Sequence, residues 1–249
     1  MKVRTFLYPA ILTLCLFGSA FAQVPDIPKA GTLGLPATSQ VTAQIVQYVI
    51  LITTLSVAPG LVVMLTSFTR IVIALSFLRS GIGLQTTPST ILLVTLAMFL
   101  TFFIMAPTFD SAWNKGVQPY LGGKLTEQDA YERTSGPFRD FMLRNVREKE
   151  LAFFQELAPK ETFGTEPSAN DLRILVPAFM VSELRRGFEI GFLIVLPFLI
   201  IDLVVATVTM SMGMMMLPPT VISLPFKVLF FVLIDGWTLL IGSLVHSFH

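Results

Sequence analysis

Apolar residues gather in four blocks along the chain, and the main polar stretch separates the second block from the third. The first block runs from about Ile45 to Leu65, is interrupted by Pro59-Gly60, and continues amphipathically to Leu78. The second covers about Thr90 to Phe109, the third about Ile190 to Met210 with Pro197 near its middle, and the fourth about Val221 to Phe248. A bilayer core takes about 20 apolar residues to cross, and each block is long enough. In lipid an unpartnered backbone group is costly, so an open chain crosses as helix, whose hydrogen bonds close within the segment. The pattern predicts an all-α membrane protein with about four apolar helices.

The segments between and before the blocks suggest a division of labour. Lys2 and Arg4, the short apolar run Ile11 to Phe17 and Ala20-Phe21-Ala22 read as a signal peptide over 1–22, with an uncleaved anchor as the alternative. Residues 23–43, rich in Pro, Gly, Thr and Ala, read as a loose exported leader. Residues 44–109 then form a first helical hairpin, 110–189 a polar insert, and 190–249 a second hairpin. The connection between the first two blocks carries Arg70 and Arg79 and no acid, which places it in the cytoplasm by the positive-inside rule. A signal peptide puts the mature N-terminus outside and so agrees. The insert is then periplasmic. Ser135-Gly136-Pro137 suggests a helix start there, with Pro137 as its first residue. Phe138, Phe141, Met142 and Val146 follow at helical spacing, with Asp140 and Arg144 as an i,i+4 pair; Leu151, Phe153, Phe154 and Leu157 form a second apolar set. A self-packed helical hairpin and a subunit-docking surface both fit this insert.

Composition supports the membrane class. Apolar residues make up 53% of the chain and charged residues only 13%, with a mean hydropathy of +0.74, where soluble domains carry roughly 25% charge. Of the 17 basic and 16 acidic residues, the insert holds 11 and 13, mixed rather than blocked, as in a solvated module. The net charge of +1 and the absence of a basic block give no sign of nucleic acid. The single cysteine, Cys15, falls in the signal segment, so the mature chain has no disulfide or thiol metal site.

Catalytic motifs are missing: there is no Walker loop, GxSxG elbow, HExxH or dinucleotide fingerprint. His246 and His249 could share a helix face but read as polar ends rather than metal ligands. The chain is therefore expected to be non-enzymatic, without cofactor or metal. The informative residues are ionisable ones inside apolar blocks: Asp202, Lys227 and Asp235. Each costs about 2.5–3.5 kcal/mol to place in the bilayer centre, so each should face protein or water. Lys227 and Asp235, eight apart, would share one helix face. They read as a polar lining or an inter-subunit ion pair; a Lys227 that merely snorkels is the plainer account. From Met210 to Met216 five of seven residues are methionine (Met210, Met212, Met214, Met215 and Met216), and Pro218-Pro219 then break the helix. Flexible, polarizable side chains could seal a pore around different passing chains, or could be ordinary apolar filler.

Several long stretches are specific enough to compare with known families: Thr66-Ser67-Phe68-Thr69-Arg70-Ile71-Val72-Ile73, Leu100-Thr101-Phe102-Phe103-Ile104-Met105-Ala106-Pro107 and Pro177-Ala178-Phe179-Met180-Val181-Ser182-Glu183-Leu184. Gly213-Met214-Met215-Met216-Leu217-Pro218-Pro219, Leu224-Pro225-Phe226-Lys227 and Asp235-Gly236-Trp237 complete the set. Together they resemble the FliP family of type III export-gate proteins and its virulence-associated counterparts, and Gly242-Ser243-Leu244 favours the flagellar branch. The resemblance implies bent helical hairpins and several copies assembling with FliQ and FliR into a closed pore for unfolded export substrates. It implies a methionine gasket at Met214, Met215 and Met216, with Met210 and Met212 nearby. It marks Asp202, Lys227 and Glu183 as family residues, with Phe154 as the aromatic of the periplasmic helix. Arg70 and Asp235 join the polar assembly set, and Phe138 the packing set. Energy would come from other flagellar export components. Membrane lipid would surround the chain. Two other classes stay open: a secondary transporter or small-molecule channel using Asp202 and Lys227, for which no inverted repeat is visible, and a purely structural scaffold at the base of the flagellum.

Overall fold

A computed structural model describes residues 38–84, 87–159, 168–213 and 218–248. The expected signal peptide (1–22), most of the leader (23–43) and Met214, Met215 and Met216 lie outside the described residues. By its internal contacts the chain divides into two units, residues 1–54 and 55–249. Among the described residues the secondary structure is helical throughout.

Helix α1 spans Thr38–Met64 and passes through Pro59-Gly60 without the expected break. A proline removes one hydrogen bond, whereas ending a helix among apolar residues would strand several backbone groups. The expected continuation to Leu78 is interrupted instead at 65–67. There the Thr66 hydroxyl donates back to the Val63 carbonyl (3.3 Å) and accepts from the Phe68 amide (3.4 Å). Such side-chain bonds compete with the helical ladder. Helix α2 then covers Phe68–Ile82 and ends on Gly83 in the left-handed region (φ 90°), whose amide bonds the Ser80 carbonyl.

Helix α3 (Thr90–Ala112) starts on Ser89, whose hydroxyl accepts from the Leu92 amide, and runs through a π-helical turn, Trp113–Val117, into the short α4 (Gln118–Leu121). The insert contributes α5 (Glu127–Asn145) and α6 (Glu148–Leu157). Helix α5 begins at Thr126, which accepts from the Asp129 amide, so Pro137 sits mid-helix and not at the first position as its sequence context suggested. Ser135 makes no cap, its hydroxyl donating to the Glu132 carbonyl. Arg144 Nε likewise donates to the Asp140 carbonyl oxygen (3.3 Å) rather than to its carboxylate.

Helix α7 runs unbroken over 40 residues, Leu172–Ser211. At 1.5 Å per residue it is about 60 Å long, twice the hydrocarbon core of a bilayer. Its charged first half therefore belongs to the insert and its apolar second half to the expected third block. Helices α8 (Pro219–Leu233) and α9 (Gly236–His246) meet at a 64° bend. Two stretches, Thr90–Leu121 and Leu172–Ser211, are long and apolar enough to cross a membrane, and the bent α8–α9 pair makes a third if it is one span.

Contacts between α2 and α7 advance together. Arg70 meets Glu183, Ile73 lies against Gly187, Phe77 against Gly191, and Val195 against Gly81. A near-constant offset means the two helices run parallel. Against them α8–α9 runs antiparallel: Lys227 meets Asp202 at one level and Ser247 meets Arg70 at the other. Ile71, Leu75, Leu78, Phe179, Phe198 and Leu244 are buried in the core these elements share with Met105 of α3 and Met142 of α5.

Candidate functional site

A buried and a partly buried ion pair hold α2 between α7 and the α8–α9 arm, one near each end of α2. At the first, Arg70 and Glu183 are both wholly buried. Arg70 Nε donates to Glu183 Oε2 (2.9 Å), and Nη2 donates to Oε1 in a second, shorter bond. Nη1 donates to the Ser247 carbonyl oxygen (2.8 Å) and hydroxyl (2.9 Å), and the guanidinium lies 3.6 Å above the Phe248 ring. The planar fork of arginine suits this arrangement, because it can engage a carboxylate and a carbonyl along separate edges. The Ser247 carbonyl belongs to the end of α9, so Arg70 also supplies positive charge where the helix dipole is negative.

This geometry corrects one step of the topology argument. Arg70 is not an exposed loop charge but the buried partner of Glu183, so the loop-charge argument for the side of the first connection rests on Arg79 alone. Glu183 is likewise engaged within its own chain.

At the second junction Lys227, 5% exposed, donates to Asp202 Oδ2 (2.5 Å) and to the Gly81 carbonyl at the end of α2 (3.0 Å). Ser223, one turn before Lys227, donates to Asp202 Oδ1 (2.6 Å). Three helices thus satisfy one another's polar groups, and Lys227 closes the C-terminus of α2 as Arg70 closes that of α9. Lys227 does not snorkel to an interface, and its acid partner lies in the same chain.

Asp235 takes no part in either junction. The helix carrying Lys227 ends at Leu233, and Asp235 sits exposed in the bend with φ 51° and ψ 51°. The single helix face expected for Lys227 and Asp235 does not exist, because the chain turns between them. Left-handed backbone costs most L-residues about 1–2 kcal/mol, and Asp and Asn bear it best after Gly. Its backbone conformation accounts for Asp235 without its charge. Asp235→Asn and Asp235→Gly are therefore expected to keep wild-type protein levels in the membrane, while Asp235→Val lowers them; an Asn variant as depleted as the Val variant would restore a role for the carboxylate.

Of the methionines, Met210 lies in the last turn of α7 and Met212 just after it, 66% and 64% exposed. Gly213 turns the chain there with φ 71°. Phe138 is half-buried and meets Phe109 of α3 edge-on (ring centroids 5.7 Å apart). It packs within the chain. Phe154, on α6, is half-buried beside Phe153 (5.5 Å), which is 54% exposed.

In the insert, Arg147 and Arg185 both bond Glu189 (3.0 and 3.1 Å), and Arg185 also reaches Glu150 (3.3 Å), tying α6 to α7. Arg185 and Glu189 are exposed, and such surface pairs contribute little singly, whereas Glu150 is buried. Asp171 caps α7, and the Arg173 side-chain hydrogen bonds, followed by the Arg173 amide, hold its carboxyl below the usual range.

Residues that sequence reasoning passed over complete the site. Ser223, Ser247 and the Gly81 carbonyl carry no local signal, since each matters only through a distant partner. Gly187 and Gly191 did carry one: Gly-x-x-x-Gly is a spacing that lets membrane helices approach closely. A Cβ on Gly191 would stand 2.6 Å from the Phe77 ring, and one on Gly187 3.1 Å from Ile73.

Comparison with known proteins bears on what such a frame is for. The FliP family profile matches residues 51–244. Flagellar biosynthetic protein FliP of Rhizobium meliloti is 55% identical over 250 residues, covering 100% of this chain and 99% of that protein. The Agrobacterium fabrum protein of that name is 56% identical over 98% of this chain and 99% of its own length. The Bacillus subtilis one is 49% identical over 82% and 91%. With most of its length matched by the family profile and near-complete alignment to these proteins, the chain belongs to the FliP family.

Proposed function

We propose that this chain is a core, pore-forming subunit of the flagellar protein-export gate, through which unfolded flagellar proteins leave the cytoplasm. The observation that carries the reading is full-length similarity to proteins named for flagellar biosynthesis, in a chain whose helices are apolar enough to span a membrane. Large apolar side chains lie exposed on α3, α7 and α8, among them Phe103, Leu193, Leu203 and Val232. Such a surface calls for lipid or sister subunits around it. The proposed partners are further copies of the chain, FliQ, FliR and other flagellar export components. The proposed place is the inner membrane at the flagellar basal body, with the mature N-terminus and the insert in the periplasm. The two junctions serve as internal braces, and the chain contributes no chemistry of its own.

In this reading Met210, Met212, Met214, Met215 and Met216 close the resting pore, because an apolar constriction holds back water and ions while its flexible side chains yield to a passing polypeptide. Replacing Met214, Met215 and Met216 together by Ala is expected to raise ion leakage across the membrane while FliQ and FliR still co-purify. Unchanged conductance in an assembled complex removes the gasket. A deletion strain that still builds filaments removes the export role altogether.

A further inference from the structure

A cavity of about 180 Å³ opens where the end of α2, the start of α3 and the α8–α9 bend come together. Leu78, Ile82, Leu93, Phe231 and Trp237 are among its walls, and Arg79 is the one charged residue lining it. Arg79 is half-buried, and its Nη1 donates to the Thr90 hydroxyl (3.0 Å). No described carboxylate pairs with it, and residues 27–109 contain no acid at all. The other two charges of this part of the frame are neutralised, Arg70 by Glu183 and Lys227 by Asp202. Arg79 therefore keeps a net positive charge at the mouth of an apolar hollow, in a chain whose neighbouring helices suit lipid.

We propose that this cavity holds part of one acyl chain of an anionic phospholipid, with the lipid phosphate against Arg79. The apolar walls accept methylene groups and reject water. The guanidinium offers its remaining N–H donors to phosphate oxygens, the pairing arginine geometry favours. Trp237 on the rim has the amphipathic ring that settles at the level of headgroups. A zwitterionic lipid could fill the hollow but would leave the charge of Arg79 uncompensated. A larger hollow on the other side of Phe231, about 370 Å³ and bordered by Pro197, Leu239 and Ser243, has no charged lining and nothing to select an occupant.

The test uses the full chain with its partners in bacterial membranes, supplied with phosphatidylglycerol bearing a photoactivatable diazirine in the acyl chain. After illumination, peptides are mapped by mass spectrometry. Label is expected on residues 228–237, displaced by unlabelled phosphatidylglycerol and not by phosphatidylcholine. Arg79→Gln is expected to lower that label about fivefold, the equivalent of about 1 kcal/mol for one basic group at an anionic surface. Arg79→Lys should retain most of it, and Val228→Trp, which fills the hollow, should abolish it. Label spread equally over the exposed faces of α1 and α3, or competed equally by phosphatidylcholine, would mean ordinary boundary lipid and overturn the proposal. So would an unlabelled 228–237 segment that cross-links to a protein neighbour instead.

Discussion

Arg70→Met is expected to destabilise the protein by about 3–5 kcal/mol, because it leaves the Glu183 carboxylate buried without a counter-charge. The same change strips the Ser247 carbonyl of its donor and the Phe248 ring of its cation. Glu183→Leu, which orphans the guanidinium, should do similar damage. Joining the two replacements should recover most of the loss, since two apolar side chains of similar volume need no partner, whereas one buried charge does. Arg70→Lys should fall between, because an ammonium cannot reproduce two parallel bonds to Glu183 while reaching Ser247. Thermal unfolding of detergent-purified protein and its steady-state level in membranes measure the series. A single variant as stable as the parent would show that the pair does not form. A double variant that is stable but builds no filaments would assign the pair a part in export beyond bracing the chain.

The second large effect concerns a position with no side chain. Gly191→Leu is expected to force α2 away from α7, since its first added carbon would already lie 2.6 Å from Phe77 and 2.9 Å from that residue's Cβ, which cannot swing aside. Gly191→Ala should cost about 1–3 kcal/mol, the usual range for overfilling a packed interior, and Leu more. Adding Phe77→Ala to Gly191→Leu should return part of the lost stability by reopening the space. Gly242→Ala serves as the control, because a Cβ there meets nothing within 4 Å. The readout is again the unfolding midpoint, with the amount of protein in the membrane beside it. Equal tolerance at positions 191 and 242 would rule out the close parallel packing of α2 on α7.

The helical class and the second and third apolar blocks were legible because a bilayer leaves the backbone one economical way to cross, and composition alone reveals where that happens. That Asp202 and Lys227 would face protein or water was legible for a related reason: an ionisable group among apolar residues is too costly to leave in lipid, whereas Glu183 was marked only by the family resemblance. Their partners were not. Lys227 and Gly81 lie 146 residues apart, and Arg70 and Glu183 lie 113 apart. No local periodicity reports on such pairs. Loop-charge counting took Arg70 for a solvent-facing charge because the method assumes that a cation between apolar blocks stays in water.

Asp235 shows the opposite limit. In sequence it was one more intramembrane charge, eight residues from a lysine on a presumed continuous helix, and only the fold revealed a left-handed turn between them. What the amino-acid sequence determined by itself is the all-helical, membrane-suited character of the chain, because hydrogen-bond closure and the transfer cost of charge are local properties. The tertiary structure alone decided which charges neutralise which, that α2 and α7 run parallel through Gly187 and Gly191, and that Arg79 lines an apolar hollow with no ion-pair partner among the described residues. Those outcomes depend on how whole helices meet, a matter of shape and distance that no single segment carries.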